Sequence, residues 1–232
     1  ENLGVKFVLN FEVQAKELSE IEDKYDAIFL GLGTYESIKG DYKGFEKDGV
    51  VEALPYLTEN TKYLMNENDA LSMDFKNQKV VVLGGGDTAM DCVRTALRQG
   101  AKKVTCVYRR DFENMPGSRK EVKHAMEEGV EFLFNHQIVE AKGDDKLSEL
   151  IAEETELFGN DGSGRKKPKV KEGTQKKIEL DKLVIAFGYQ ASPQEFFTNK
   201  KINVDDWGLI QLNNDKFKYQ TSNEKYFAGG DM

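Results

Sequence analysis

Gly84, Gly85, Gly86, Asp87, Thr88 and Ala89 form one loop, and Arg109 and Arg110 stand as a cationic pair further along the chain. These are the residues whose types and spacing can do chemistry. Gly84-x-Gly86-x-x-Ala89 is the spacing a dinucleotide needs. The first glycine allows a tight turn, the second lets backbone approach a pyrophosphate, and the small third residue lets a helix pack closely on a strand. Asp87 and Thr88 fall at the helix start, where backbone N–H groups and the Thr88 hydroxyl can meet that pyrophosphate. Asp87 is expected either to cap the helix or to hold a ribose hydroxyl. Where Arg109 and Arg110 stand, an NAD-binding unit places a carboxylate against the ribose 2′-hydroxyl. A guanidinium instead suits a 2′-phosphate, so the expected nucleotide is NADP(H), with one arginine carrying more of the contact than the other.

The elements that must position these residues are also legible. Val80–Leu83 is a fully apolar run, as expected of a strand buried on both sheet faces. From Asp87 the pattern becomes helical, with Ala89, Met90, Val93, Ala96 and Leu97 on one face, until Gly100 stops it. Lys103–Tyr108 completes a βαβ unit that delivers the two arginines at its end. Val5–Leu9 and Tyr25–Leu30 read as buried strands, and a helix is expected from about Glu52 to Asn66 with Leu54, Leu57, Thr61 and Leu64 on one face. Asn114-Met115-Pro116-Gly117 reads as a turn, Ser118-x-x-Glu121 as a capping box, Gly129 as the stop of that helix, and Val130–Phe134 as a third parallel strand. Between Gln137 and Leu183, short alternating segments around a polar loop at Gly159–Lys169 suggest an antiparallel meander. Arg165-Lys166-Lys167 is expected at its solvated tip. Leu183–Phe187 is a further apolar strand ending at Gly188, and Trp207 is expected in a core. The fold class is therefore α/β: a Rossmann-like parallel sheet with an antiparallel meander.

Composition narrows the function classes. The chain has 232 residues, 39% of them hydrophobic, and a formal net charge of −8, which disfavours nucleic acid or an anionic membrane as partner. No apolar run approaches the roughly 18 residues of a membrane span. Cys92 and Cys106 are expected to be small buried hydrophobes in a reducing cytoplasm. With His124 and His136 isolated as well, no metal-ligand spacing is present.

Beyond the glycine loop, YDAIFLGLGTY (25–35), YRRDFENMPGSRKEVKHAMEEGVEF (108–132), LVIAFGYQASP (183–193) and YFAGGDM (226–232) are distinctive. Over nearly its whole length the chain resembles the two-dinucleotide-domain flavoproteins, the pyridine nucleotide-disulfide oxidoreductase-like superfamily. Within them it is similar to the small (beta) subunits of NADPH-dependent glutamate synthases. The resemblance implies an FAD domain interrupted by an inserted NADPH domain: 1–45 and 190–232 as partial FAD-binding domain, and 46–189 as NADPH-binding domain. Gly31 and Gly33 on one side and Gly188 on the other then mark the crossovers between them, and Gly230 and Asp231 match the motif that holds the FAD ribityl and pyrophosphate. For the parent protein it implies hydride transfer from NADPH to FAD and onward passage of electrons through 4Fe-4S clusters for glutamate synthesis. The cluster ligands are not in this chain. The implied partner is a glutamate synthase large subunit or a similar electron acceptor. A dihydropyrimidine-dehydrogenase-type or ferredoxin-linked acceptor, or a non-catalytic NADP(H)-binding fragment, are the alternatives. The chain itself is expected to be an excised piece, to purify without flavin and to be inactive alone. Thioredoxin-reductase chemistry is excluded because residues 50–80 lack the necessary C-x-x-C dithiol. Tyr35-x-x-x-Lys39, a dehydrogenase-like pair, precedes the loop instead of following it.

Overall fold

A computed structural model describes residues 3–40, 42–162, 164–213 and 216–232; Ser163, in the expected polar loop, lies outside them. In chain order the elements are α1 (Ala15–Lys24), β1 (Ile28–Leu30), β2 (Glu36–Ser37), β3 (Val50–Glu52), α2 (Ala53–Leu64), β4 (Lys79–Leu83), α3 (Asp87–Arg98) and β5 (Lys103–Tyr108). There follow α4 (Arg119–Glu127), β6 (Glu131–Phe134), β7 (His136–Lys142), β8 (Glu149–Phe158), β9 (Lys167–Val170), β10 (Lys176–Glu179) and β11 (Lys182–Ile185). The chain ends with β12 (Tyr189–Gln190), α5 (Phe196–Asn199) and β13 (Tyr226–Ala228). It divides into two compact units, Ser37–Gly188 and the pair of flanks Glu1–Glu36 with Tyr189–Met232. The boundaries between these units fall at 36/37 and 188/189.

The larger unit is built on a parallel sheet in the order β3-β11-β4-β5-β6. Its central strand, β4, is apolar from Val80 to Leu83 because it is covered on both faces. Val80 and Val82 point into a core with Ala89, Met90 and Val93 of α3, Tyr56 of α2 and Val122 of α4. Val81 and Leu83 point the other way, into a core with Ile138, Leu150 and Ala152 of the antiparallel layer β7–β10 and with Leu180, which precedes β11. Burying each such side chain is worth roughly 1.5–3 kcal/mol. An exposed pair such as Lys103–Glu131, 2.8 Å apart, is worth under about 1 kcal/mol. The two apolar faces therefore hold this unit together, and the sequence pattern reports them.

Several expectations change. The α2 face turns so that Ala53 and Tyr56 are buried while Thr61 and Leu64 are exposed, because Tyr56 stacks on Phe75 at 4.5 Å between ring centres. Ser118 is the N-cap of α4 but makes no side-chain cap. The capping box fails because the Glu121 carboxylate is taken by Arg94 of α3.

In the smaller unit, β1 pairs with β13 in parallel, Leu30 opposite Ala228. Leu18 of α1, Phe196, Phe197, Ile210 and Tyr226 form its core. The helix α1 was not legible as such; the Glu17 carboxylate accepts from Gln14 N–H, 3.3 Å, across its first turn. Tyr25–Leu30 shrinks to a three-residue strand, with Tyr25 and Phe29 exposed. Val5–Leu9 is not a strand: no ladder among the described residues takes it, so its apolar side chains stay exposed. Trp207 is not core but 79% exposed, at the tip of a turn in which Asp205 Oδ1 accepts from the Trp207 and Leu209 N–H groups.

Cys92 and Cys106 are fully buried, and burial pushes the Cys106 thiol up to about 12. Both thiols therefore stay protonated and shielded. Ellman's reagent at pH 8 is expected to find no reactive thiol in the folded chain and both after denaturation; rapid labelling of either one in the native state would contradict this packing.

Candidate functional site

The glycine loop lies where the order of the parallel sheet reverses, between the C-terminal ends of β4 and β11. Open α/β sheets bind ligands at such a switch point. Each glycine does a different job. Gly84 has φ +148°, and a Cβ there would lie 2.2 Å from Ala186 O beyond β11. A Cβ on Gly85 would lie 2.5 Å from the Tyr108 ring. At Gly86 a Cβ would meet no protein atom within 4 Å, so this glycine faces open space rather than protein. Gly86 is also the N-cap of α3 and supplies no side-chain cap, which leaves the N–H groups of Asp87 and Thr88 as orphan donors of the first turn.

The loop is braced from outside. The buried Cys106 thiol donates to Gly84 O at 3.3 Å. The Met115-Pro116-Gly117-Ser118 turn lies against it: Gly117 N–H donates to Gly85 O at 2.9 Å, and Ser118 N–H donates to Asp87 Oδ1 at 2.7 Å. Asp87 is thus the first helical residue and not the N-cap, and its carboxylate anchors the turn. Tyr108, whose ring covers Gly85, donates to Asn114 O at 2.8 Å. Arg119 lies over the Phe112 ring at 4.3 Å and donates to Glu113 O at 2.9 Å, closing the segment on itself.

In front of the loop is a cleft of about 450 Å³, wholly within the larger unit. Gly84, Gly85, Gly86 and Thr88 of the loop line it together with Arg109, Arg110, Ala186, Phe187 and Gly188. Ile38, Tyr42, Val107, Pro116 and Ile138 supply apolar wall. Ala89 does not line it; it is fully buried on the core-facing side of α3, as close helix–strand packing requires.

The two arginines behave differently. Arg109 is exposed, and no hydrogen bond or ion pair engages its guanidinium among the described residues. The Arg110 side chain is only 5% exposed and pairs with Asp161 at 2.7 Å. Three further polar residues line the same cleft, namely His136, Gln137 and Arg165. Sequence alone did not single them out. His136 Nδ1 sits 2.7 Å from Phe134 O, which fixes its ring. Arg165-Lys166-Lys167 is not simply a solvated tip: Lys166 bonds to both Arg110 and Asn114, and Arg165 reaches the cleft. A run of cations in a polar loop carries no sequence signal for that placement.

Gly31, Gly33, Gly230 and Asp231 belong to the smaller unit. Because β1 and β13 are parallel, Gly31 and Gly33 leave one strand at the same edge where Gly230 and Asp231 leave the other; Gly229 N–H donates to Leu30 O at 3.3 Å across them. Gly230 has φ +95° and open space where a Cβ would stand.

A parallel sheet covered by helices and an antiparallel layer, with a glycine loop at its switch point, defines a Rossmann-like α/β fold. The chain belongs to the pyridine nucleotide-disulphide oxidoreductase family, whose description fits residues 4–232. It is 46% identical to the glutamate synthase [NADPH] small chain of Halomonas elongata over 236 residues, covering 100% of this chain and 50% of that one. It is 45% identical to the Escherichia coli protein of the same description over 237 residues, covering 99% and 50%. The chain therefore spans about half the length of the curated relatives it matches. Among solved structures, Mycobacterium tuberculosis FprA in complex with NADPH shares the fold, with a TM-score of 0.71 at 18% identity over 94% of this chain and 60% of that one.

The glycines separate stability from ligand approach. Gly84→Ala must open the β4–β11 contact and is expected to cost roughly 2–5 kcal/mol in urea unfolding. Gly86→Ala, with nothing to strike, is expected to cost under about 1 kcal/mol. Equal costs would contradict this division.

Proposed function

We propose that this chain is the NADPH-binding portion of a flavin- and iron–sulfur-dependent oxidoreductase of the glutamate synthase small-subunit type. The observation that carries the cofactor choice is Arg109, an exposed, unengaged cation at the end of β5, in the same cleft as the Gly84–Gly86 loop. An NAD-binding site would hold a carboxylate there. The orphan N–H groups of Asp87 and Thr88 and the Thr88 hydroxyl would receive the pyrophosphate, and the positive end of α3 would offset its charge. Gly86 would let the backbone come within contact distance. Arg109 would hold the 2′-phosphate, and the apolar wall would exclude water from the rest.

The smaller unit fits part of a second dinucleotide. Gly31, Gly33, Gly230 and Asp231 gather at one strand edge, where backbone without side chains can approach a pyrophosphate and a carboxylate can accept from hydroxyls of an FAD ribityl chain. When bound, the two cofactors would supply the chemistry, transfer of a hydride from nicotinamide to flavin. The chain contributes binding and orientation, and no side chain is needed as acid or base. The 46% identity to a glutamate synthase [NADPH] small chain supports that subunit type; electrons would then pass on, as the family resemblance implies, through 4Fe-4S clusters held outside this sequence to a large subunit, in the cytoplasm.

Calorimetry tests the reading. NADPH is expected to bind more tightly than NADH, and Arg109→Ala to remove roughly 10- to 100-fold of that preference, the worth of a charge-assisted contact to phosphate. Gly86→Val is expected to abolish binding with unchanged far-UV circular dichroism. Equal affinities for the two nucleotides in the unmodified chain, or NADPH binding that survives Gly86→Val, would contradict it.

A further inference from the structure

Arg110, the second cation of the pair, is spent inside the protein. Its Nε donates to Lys166 O at 2.6 Å and its Nη2 to Asp161 Oδ2 at 2.7 Å, so both edges of a nearly buried fork are held by the hairpin between β8 and β9. The hairpin is fastened elsewhere as well. Lys166 N–H donates to Asn114 Oδ1 at 3.0 Å, in the segment whose Gly117 lies on the glycine loop. Thr155 Oγ1 of β8 donates to Arg109 O at 2.9 Å. Within the hairpin, Asp161 N–H donates to Arg165 O at 2.8 Å, and the two side chains lie 3.8 Å apart. The outcome is that Arg165 lines the same cleft as Arg109, beside the Asp161 that holds Arg110.

We infer that the β8–β9 hairpin is a specificity clamp. Arg165 is a second ligand for the 2′-phosphate, Arg109 is the first, and Arg110 with Asp161 is the buried latch that holds the hairpin in place. This rests on the NADP(H) reading above. Two features of the latch support it. A carboxylate near a phosphate site is electrostatically unfavourable unless it holds something, and Asp161 holds Arg110. A forked, planar guanidinium satisfies two acceptors at fixed angles, as a lysine cannot, so the latch depends on shape as well as charge.

The latch and a direct charge predict opposite results. If Asp161 acted only through its charge, Asp161→Asn would tighten NADPH by removing a repulsion. As part of the latch, its loss is expected to weaken NADPH by about tenfold while leaving NADH affinity unchanged, because the hairpin serves only the 2′-phosphate. Arg110→Lys keeps the charge but loses the fork, and is expected to bind NADPH as poorly as Arg110→Ala. Arg165→Ala, at a part-exposed position that does not threaten folding, is expected to lose about tenfold for NADPH and nothing for NADH. Isothermal titration with both nucleotides, on chains whose circular dichroism matches the unmodified one, reads all of these. NADPH affinity unchanged or raised in Asp161→Asn, an Arg110→Lys chain with undiminished preference, an unaffected Arg165→Ala, or parallel loss of NADH would each overturn the clamp. Failure of the underlying reading shows separately, as equal NADPH and NADH affinities in the unmodified chain.

Discussion

At the switch point of the parallel sheet, β4 and β11 end so close together that a single methyl group at Gly84 would lie 2.2 Å from Ala186 O. That contact fixes where the chain can turn and so where α3 begins. It sets the direction in which the first-turn N–H groups of α3 point, and it places Gly86 at the open mouth. The surrounding devices serve to hold this backbone still: the Cys106 thiol on Gly84 O, the Tyr108 ring over Gly85, and the Met115–Ser118 turn bonded to Gly85 and Asp87. A site made of backbone must be rigid, because it has no side-chain rotamers with which to adapt.

The charge in the cleft is concentrated against the grain of the chain. The net charge of −8 repels polyanions in general, yet Arg109 and Arg165 line a single cleft, with Arg110 paired to Asp161 beside them. Local cations focused in a concave site with low-dielectric walls outweigh a diffuse opposite charge that solvent and salt screen over about 8–10 Å. Burying Arg110 is tolerable only because Asp161 and the Lys166 carbonyl meet its fork.

Where a segment's structure is dictated by its own pattern, the sequence was readable. β5 was anticipated residue for residue at Lys103–Tyr108, α3 began at Asp87, and the antiparallel layer was placed between Gln137 and Leu183. The glycine loop was legible because only glycine meets its steric demands. The failures share a cause, namely partners distant in sequence. Glu121 looked like half of a capping box, but Arg94, from a different helix, claims it. Arg165-Lys166-Lys167 looked solvated because nothing local shows that Arg110 reaches the Lys166 carbonyl across 56 residues. Trp207 is the exception: its type suggests core, but a local turn closed by Asp205, two residues away, holds it outward. Of the two roles expected for Asp87, the N-cap falls to Gly86, and one carboxylate oxygen accepts from Ser118 N–H, 31 residues away.

A crystal structure of the chain with NADP+, which is redox-inert here and carries the same phosphates, puts the account to its most direct test. The pyrophosphate is expected on the N–H groups of Asp87 and Thr88 with Gly86 in contact, and the 2′-phosphate beside Arg109, with Arg110 still paired to Asp161. A nucleotide bound away from the glycine loop, or one whose 2′-phosphate points into solvent clear of Arg109, would contradict the account.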